Sequence, residues 1–455
     1  MPSEPPSNDA FPQDLAPSTV SADDGYDAFL AAKAALRAQD GIEVGRLDVN
    51  ARLHPWQREV VRWACRTGRA ALFEDCGLGK TFQQVEWLRL MTGSRRGLIV
   101  APLSVARQTV REAAKLGVEV HYTRTQPNGT GLYVTNYEMV DRFDLSAFAA
   151  VVLDESSILK NVDGKTRRRL TTAIADVPYR LACTATPAPN DVAELTNHAD
   201  WLGRMARAEM LAGYFVHDDT GWRLKGHAAE PMARWMGSWT LAMRKPSDLG
   251  WPDDGYDLPP LTIRPHIVDV DLAADGQLFP TDLGGIGGRA KVRRETLPAR
   301  CDAAVTHLEG DAQAIAWCGL NDEADRIADA LGDDAVNVQG SWAPEAKAEA
   351  LEAFQDGEVR VLITKPSIAG FGMNFQNAHR MTFVGLGDSY EAYYQAIRRC
   401  WRFGQTEPVD VHIVVSELEA QIVDNVRRKE RDAASFTDLL IRHAPVRRTA
   451  EEVAA

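Results

Sequence analysis

The feature that most constrains this chain is an alternation, met twice, between short apolar runs and segments of helical period. From Leu53 onward, residues 70–73, 97–101, 132–135, 150–153 and 180–184 form apolar runs of strand length, and helical segments such as 105–116 lie between most of them. The pattern returns further on with strand candidates at 314–318, 335–338, 359–364, 380–384 and 409–415, and helices at 323–331, 344–354 and 390–401. Apolar strands that alternate with helices predict a parallel sheet covered on both faces. The chain therefore reads as α/β, built from two tandem lobes of similar design.

Between about 203 and 260 the alternation breaks. This stretch holds Trp222, Trp235, Trp239 and Trp251, with Trp201 just ahead, and it ends in the loop-like PSDLGWPDDGYDLPP. It reads as an insertion and connector packed by aromatics, its tryptophans serving as core filler rather than as a base-stacking platform. Ahead of the first lobe, the acidic, proline-rich residues 1–22 predict a disordered tail, and 26–39 an amphipathic helix. The expected division is a tail at 1–22, a first lobe with its leading helix at 23–203, a connector at 204–262, a second lobe at 263–435 and a C-terminal tail at 436–455. The glycine run at 284–288 has no strand before it, so it reads as a mobile loop rather than a phosphate cradle.

Composition excludes several classes. No window approaches the roughly 18–20 apolar residues of a membrane span. The six cysteines are scattered without CxxC or zinc spacing, which predicts buried reduced thiols, a cytoplasmic location and no zinc. The net charge of 51 − 64 = −13 argues against nucleic-acid binding through a broadly basic surface. Any such contact must use local basic patches or backbone amides.

The strongest chemical signal follows the first strand, in EDCGLGKTFQQVEWL. Gly77 and Gly79, on either side of Leu78, let backbone N–H groups turn onto phosphate oxygens. Lys80 supplies a point charge to the β- and γ-phosphates, and Thr81 offers a hydroxyl to Mg²⁺. Glu74 stands where the GxxxxGK[ST] pattern has its first glycine. In VVLDESS another apolar strand ends in Asp154, suited to serve Mg²⁺, and Glu155, suited to orient or deprotonate an attacking water. In QAIRRCWRFGQ, Arg399 and Arg402 share a helix face and can supply the cation that a transferring phosphoryl group needs.

In order, EDCGLGKT, APLSVA, VTNYEM, DESSILKN, TATPAPNDVAEL, SIAGFGMNF and QAIRRCWRFGQ resemble the motifs of helicase superfamily two. More closely they resemble its Swi/Snf-like branch, from about Leu53 to Gln405. Lys160 and Asn161 after the acidic pair, Pro187 to Leu195, and Gly404 with Gln405 favour that branch. The resemblance implies two RecA-like P-loop lobes and an ATP-dependent translocase acting on DNA, duplex DNA by preference, of the compact kind found in phages and bacteria. It implies that Gln57 reads adenine and that Gly370, Gly372, Asn374 and Gln395 line the cleft from the second lobe. Thr184 and Thr186 would couple the ATP site to nucleic acid, and Arg399 and Arg402 would act as fingers. Ser157 stands where the branch usually has histidine, and Glu74–Asp75 inverts the commoner acidic order.

Nucleic-acid contacts are expected from Ser104 and Arg107, Asn136 and Tyr137, and Ser367. Basic stripes lie at Arg58, Arg62 and Arg66, at Arg167–Arg169, and at Lys291, Arg293 and Arg294, and a cluster at Arg427–Lys429 and Arg431 closes the final helix. Three rival readings remain: a strand-separating DNA or RNA helicase, a DNA-binding scaffold with a vestigial ATP site, and the motor subunit of a nuclease complex with an unidentified partner.

Overall fold

A computed structural model describes residues 41–160, 170–219, 221–269, 293–369 and 374–447. The leading helix and tail expected at 1–39, the glycine run at 284–288, and Asn161, Arg167–Arg169, Lys291, Gly370 and Gly372 lie outside the described residues.

The first sheet is wholly parallel, in the order β3-β4-β2-β5-β6-β1-β9. Its strands are β1 (Arg69–Glu74), β2 (Arg96–Ala101), β3 (Val120–Tyr122), β4 (Gly131–Asn136), β5 (Ala150–Asp154) and β6 (Tyr179–Cys183). A short hairpin of β7 (Phe215–Asp218) and β8 (Gly221–Leu224) stands apart, and β9 (Thr240–Met243) completes the sheet. Helices Pro55–Thr67, Lys80–Thr92 and Leu103–Lys115 cover it. Every residue of β5 is buried, as a central strand sandwiched between helices requires.

The second sheet, also parallel, runs β10-β15-β14-β11-β13-β12. It comprises β10 (Leu261–Val268), β11 (Ala314–Cys318), β12 (Ala335–Asn337), β13 (Val361–Thr364), β14 (Arg380–Val384) and β15 (Val409–Ser416). The strand β10 carries Pro265, which an edge strand accepts because one side of its ladder is unpaired. The chain is thus α/β with two tandem RecA-like lobes.

Strands expected from the apolar runs form, with ends shifted by a residue or two. Two stretches behave differently from the sequence expectation. Inside the segment read as connector, Thr240–Met243 pairs with β1 along Ala71↔Thr240 to Glu74↔Met243, so four residues too short to announce a strand close the edge of the first sheet. At the other end, residues read as a tail from 436 continue the helix Ala420–Arg442, with Phe436 and Leu440 buried. This helix packs on β9 and on helix Ala229–Met236. Trp201, Trp235 and Trp239 are core residues, as expected, with Trp235 and Trp239 edge to face at 5.4 Å. All six cysteines are free, and all but Cys76 are buried. No described helix is long and apolar enough to cross a membrane.

Candidate active site

The loop after β1 turns at Gly77 (φ +90°) and enters helix Lys80–Thr92 through Gly79 (φ +74°). Both angles favour glycine, and space enforces the choice. A Cβ at Gly79 would lie 2.6 Å from Gln57 Nε2, and one at Gly77 would lie 3.1 Å from Phe403 of the second lobe. Gln57 is buried, donating from Nε2 to the Leu78 carbonyl at 2.9 Å and accepting from the His54 amide at 2.9 Å. The expected adenine reader therefore braces the phosphate loop. Beside it gather Trp56, Tyr256 from the connector, and Phe403, with Tyr256 and Phe403 ring centroids 4.8 Å apart.

Lys80 donates to the carbonyls of Glu74 (2.8 Å) and Asp75 (2.9 Å). Burial opposes its charge, but Cys76, Glu155, Glu74 and Asp75 outweigh it and hold the ammonium pKa above the ordinary value. Glu74 is fully buried, and that burial pushes its carboxyl up to about 7 despite Lys80 and a 2.7 Å bond from Gln83. Thr81 sits in the first turn of the helix, next to Lys80.

Asp154, at the end of β5, is buried and accepts from Gln84 Nε2 at 2.7 Å. Burial raises its pKa, while Gln84, Lys80 and Arg399 oppose the rise. Glu155 follows with φ +53°, the one non-glycine residue with positive φ among those described. Holding a side chain there costs about 1–3 kcal/mol. Burial and then Asp154 push the Glu155 carboxyl up to about 7. Thr184 Oγ1 donates to Glu155 Oε2 at 3.2 Å and accepts the Thr186 amide at 3.1 Å, so both threonines connect to Glu155 through one short chain. The oxygen donors of Thr81 and Asp154, beside a phosphate loop, suit a hard cation such as Mg²⁺.

The second lobe delivers its arginines on helix Tyr390–Cys400 and the turn after it. Arg399 is buried close enough to Glu155 and Asp154 for their charges to offset the burial that lowers its pKa. Arg402 bonds the Asn374 side chain, and burial, with Arg399 and Arg398, brings its pKa down to about 10. Gln395 is buried, and neither side-chain polar atom finds a partner among the described residues. Lys80, Asp154, Glu155 and Arg399 thus converge across the cleft.

Sequence reasoning missed several groups. Arg398 reaches back to Asp75 Oδ2 at 2.6 Å and to the Cys76 carbonyl at 3.1 Å, and the Tyr394 hydroxyl donates to Asp75. The inverted acidic order therefore puts Asp75 where the second lobe can clasp the phosphate loop. Lys160 pairs with Glu391 across the same cleft. His198, on helix Leu195–Trp201, places Nε2 3.1 Å from Ser156 Oγ, so an imidazole stands beside the DESS segment from a different element. Its only sequence signal was its place downstream of TATP.

The expected nucleic-acid residues do not form one cluster. Asn136 is buried and bonded to Tyr122 and Glu138, and Tyr137 donates to the Asp154 carbonyl at 2.7 Å. Arg107 and Ser367 are exposed, and Ser104 lies in helix Leu103–Lys115 with Arg107. Arg62 is paired with Glu59, and Arg293 with Glu323.

Two RecA-like lobes with a phosphate loop, a strand-end acidic pair and arginines facing them define the P-loop ATPase core of the helicase type. Residues 56–203 match the SNF2-related domain and residues 298–404 the helicase conserved C-terminal domain. The chain is a Swi/Snf-like member of helicase superfamily two. The Bacillus subtilis protein named "Putative ATP-dependent helicase/translocase YwqA" is 28% identical over 179 residues, 33% of this chain and 19% of that protein. The Xenopus tropicalis SWI/SNF-related matrix-associated actin-dependent regulator of chromatin subfamily A-like protein 1 is 28% identical over 169 residues, 34% of this chain and 18% of that protein. The chain spans less than a fifth of the length of these relatives. Saccharomyces cerevisiae Dbp5 bound to RNA and ADP BeF3 superposes with a TM-score of 0.52 at 12% identity, covering 86% of this chain and 98% of that one, a likeness of fold.

Proposed function

We propose that this chain hydrolyses ATP in the cleft between its lobes and uses the cycle to move along duplex DNA. The observation that carries the reading is the docking of the second lobe's arginine helix on the phosphate loop, with Arg398 Nη2 2.6 Å from Asp75 Oδ2 and Arg399 buried next to it. The amides around Gly77 and Gly79 would hold the phosphates, with Lys80 leaving its carbonyl partners for the β- and γ-oxygens. Glu155 would orient water and accept its proton. Arg399 and Arg402 would meet charge growing on the transferring phosphoryl group, an effect worth about 10³–10⁵ in kcat. Mg²⁺ held by Thr81 and Asp154 would neutralise phosphate charge.

Movement requires that nucleotide bind the closed arrangement more tightly than the open one. Asp75–Arg398 and Lys160–Glu391 are contacts that opening would break. The duplex reading is supported by the resemblance of the motifs to the Swi/Snf-like branch. Steady-state ATP hydrolysis with no nucleic acid, single-stranded DNA, duplex DNA or duplex RNA tests it, with Lys80→Ala as control. Stimulation by duplex DNA above the others is the expected result. Stimulation chiefly by single strands or RNA would replace translocation with strand separation, and no turnover in any arm would overturn the enzyme assignment.

A further inference from the structure

Far along the chain from one another, His266, His307 and His412 come together on the second lobe. His266 lies on the edge strand β10, His412 on its neighbour β15, and His307 caps the end of helix Leu297–Thr306. Their rings stack closely: the centroids of His307 and His412 are 4.2 Å apart with planes at 9°, and those of His266 and His307 are 4.1 Å apart. One nitrogen from each ring lies within 4.8 Å of the others. His266 Nε2 and His412 Nδ1 are 2.8 Å apart and share a proton. All three residues are half-buried.

We propose that these three imidazoles form a binding site for a Zn²⁺ ion, completed by water at a fourth position. Neutral imidazole nitrogen is a preferred zinc donor at about 2.0–2.1 Å, and three protein ligands with an open fourth position are a familiar zinc arrangement. Nitrogens around such an ion stand about 3.3 Å apart by that geometry, so ring rotations with little backbone movement suffice. Binding requires the shared proton to move to the other nitrogen of its ring, a tautomeric change that leaves the ring neutral.

The backbone beneath each ligand is already held. The ladder pairs Arg264 with His412 and His266 with Val414, while Arg380 grips the His307 carbonyl at 2.9 Å. The two nearby arginines are engaged as well: Arg264 pairs with Asp410 at 2.5 Å, and Arg380 donates to the Glu309 carbonyl at 2.7 Å. Neither is a bare cation facing the ion. The cluster shares no residue with the nucleotide cleft, and the ion would tie β10, the edge strand, to β15 and the helix above it. Zinc was excluded in the sequence on cysteine spacing, and histidines at 266, 307 and 412 have no local spacing to betray them.

The test uses the tag-free full chain, stripped with chelator and titrated with ZnCl₂ at about pH 7.5, where imidazole is neutral. Saturable binding at a single site, a raised thermal midpoint, and the visible absorption of a four-coordinate Co²⁺ substitute are expected. His412→Ala and His307→Gln should each weaken binding at least about tenfold, and Lys80→Ala should leave it unchanged. Should His412→Ala fail to fold, His307→Gln at the helix end carries the test. Absence of saturable binding, or binding unchanged in both histidine variants, overturns the proposal.

Discussion

In the first lobe, strand β1 ends in Glu74, and β5 ends in Asp154 with Glu155 next, carboxylates that burial pushes toward neutrality; one Glu74 oxygen finds no partner among the described residues. In the second lobe, β11 and β14 run out into Gly319 and Gly385, and the buried carboxylate Glu323 is closed off. It accepts from Arg300 at 2.8 Å and from the Gly319 and Leu320 amides at 2.8 and 2.9 Å, while Glu419 approaches Arg300 from the other side at 3.4 Å. The same architecture thus spends buried charge in two ways. One lobe keeps it under tension for a ligand with its own charges, and the other cancels it internally to hold a helix on a sheet. The second lobe's contribution to chemistry comes instead from helix-borne arginines that project out of it toward the first.

Substitutions can break that contrast, and the largest effects belong to the first lobe's ligand-facing groups. Lys80→Ala should bring nucleic-acid-stimulated ATP turnover to background, and Glu155→Gln should lower kcat about 10²–10⁴-fold, both without unfolding the chain. Wild-type turnover in either variant would remove the site assignment. Arg399→Ala should reduce kcat by about 10³-fold or more while ATP binding, followed by a fluorescent analogue, persists. In the carboxylate network inside the second lobe the loss should appear as stability instead. Glu323→Ala takes from buried Arg300 its shorter carboxylate partner and leaves only Glu419 at 3.4 Å, at a cost of about 1–3 kcal/mol in urea unfolding; a cost near zero would show that Glu419 alone holds the network.

Glu74→Gln sharpens the same contrast with an effect of opposite sign. The folded pKa of Glu74 is raised to about 7, so the folded protein binds the extra proton and stability falls as pH rises from the unfolded value toward 7. Removing the titration should stabilise the chain by about 1–3 kcal/mol at pH 8 and hardly at pH 5. Equal effects at both pH values would rule out a raised pKa. The mildest readout is the pH profile of kcat/KM for ATP. With Glu155 in the proposed role of base, which needs its carboxylate form, and its pKa raised to about 7, the profile should climb through that pH.

Much of this arrangement was legible before folding. Continuous apolar runs such as AVVLD carry their own signal, because a strand buried on both faces has no polar side to show. The phosphate loop was equally plain, since only glycine tolerates the backbone at 77 and 79. Thr240–Met243 was not legible: four residues between aromatic helical segments carry too little period to declare a strand, and only the exposed edge of β1 makes them one. Helix Ala420–Arg442 was misjudged at its end for a related reason. Its last turns look frayed alone and are buried only because β9 and helix Ala229–Met236 lie beneath them.

Sequence by itself determined the lobes, the phosphate loop, the acidic strand end and the arginine helix, because each is a local pattern whose chemistry depends on neighbours a few residues away. Tertiary structure alone decided which charges meet. Arg398 finds Asp75 across 323 residues, His198 finds Ser156 across 42, and His266 finds His412 across 146. No spacing rule reaches that far, since such encounters are set by how two sheets and their connector pack rather than by the residues between them.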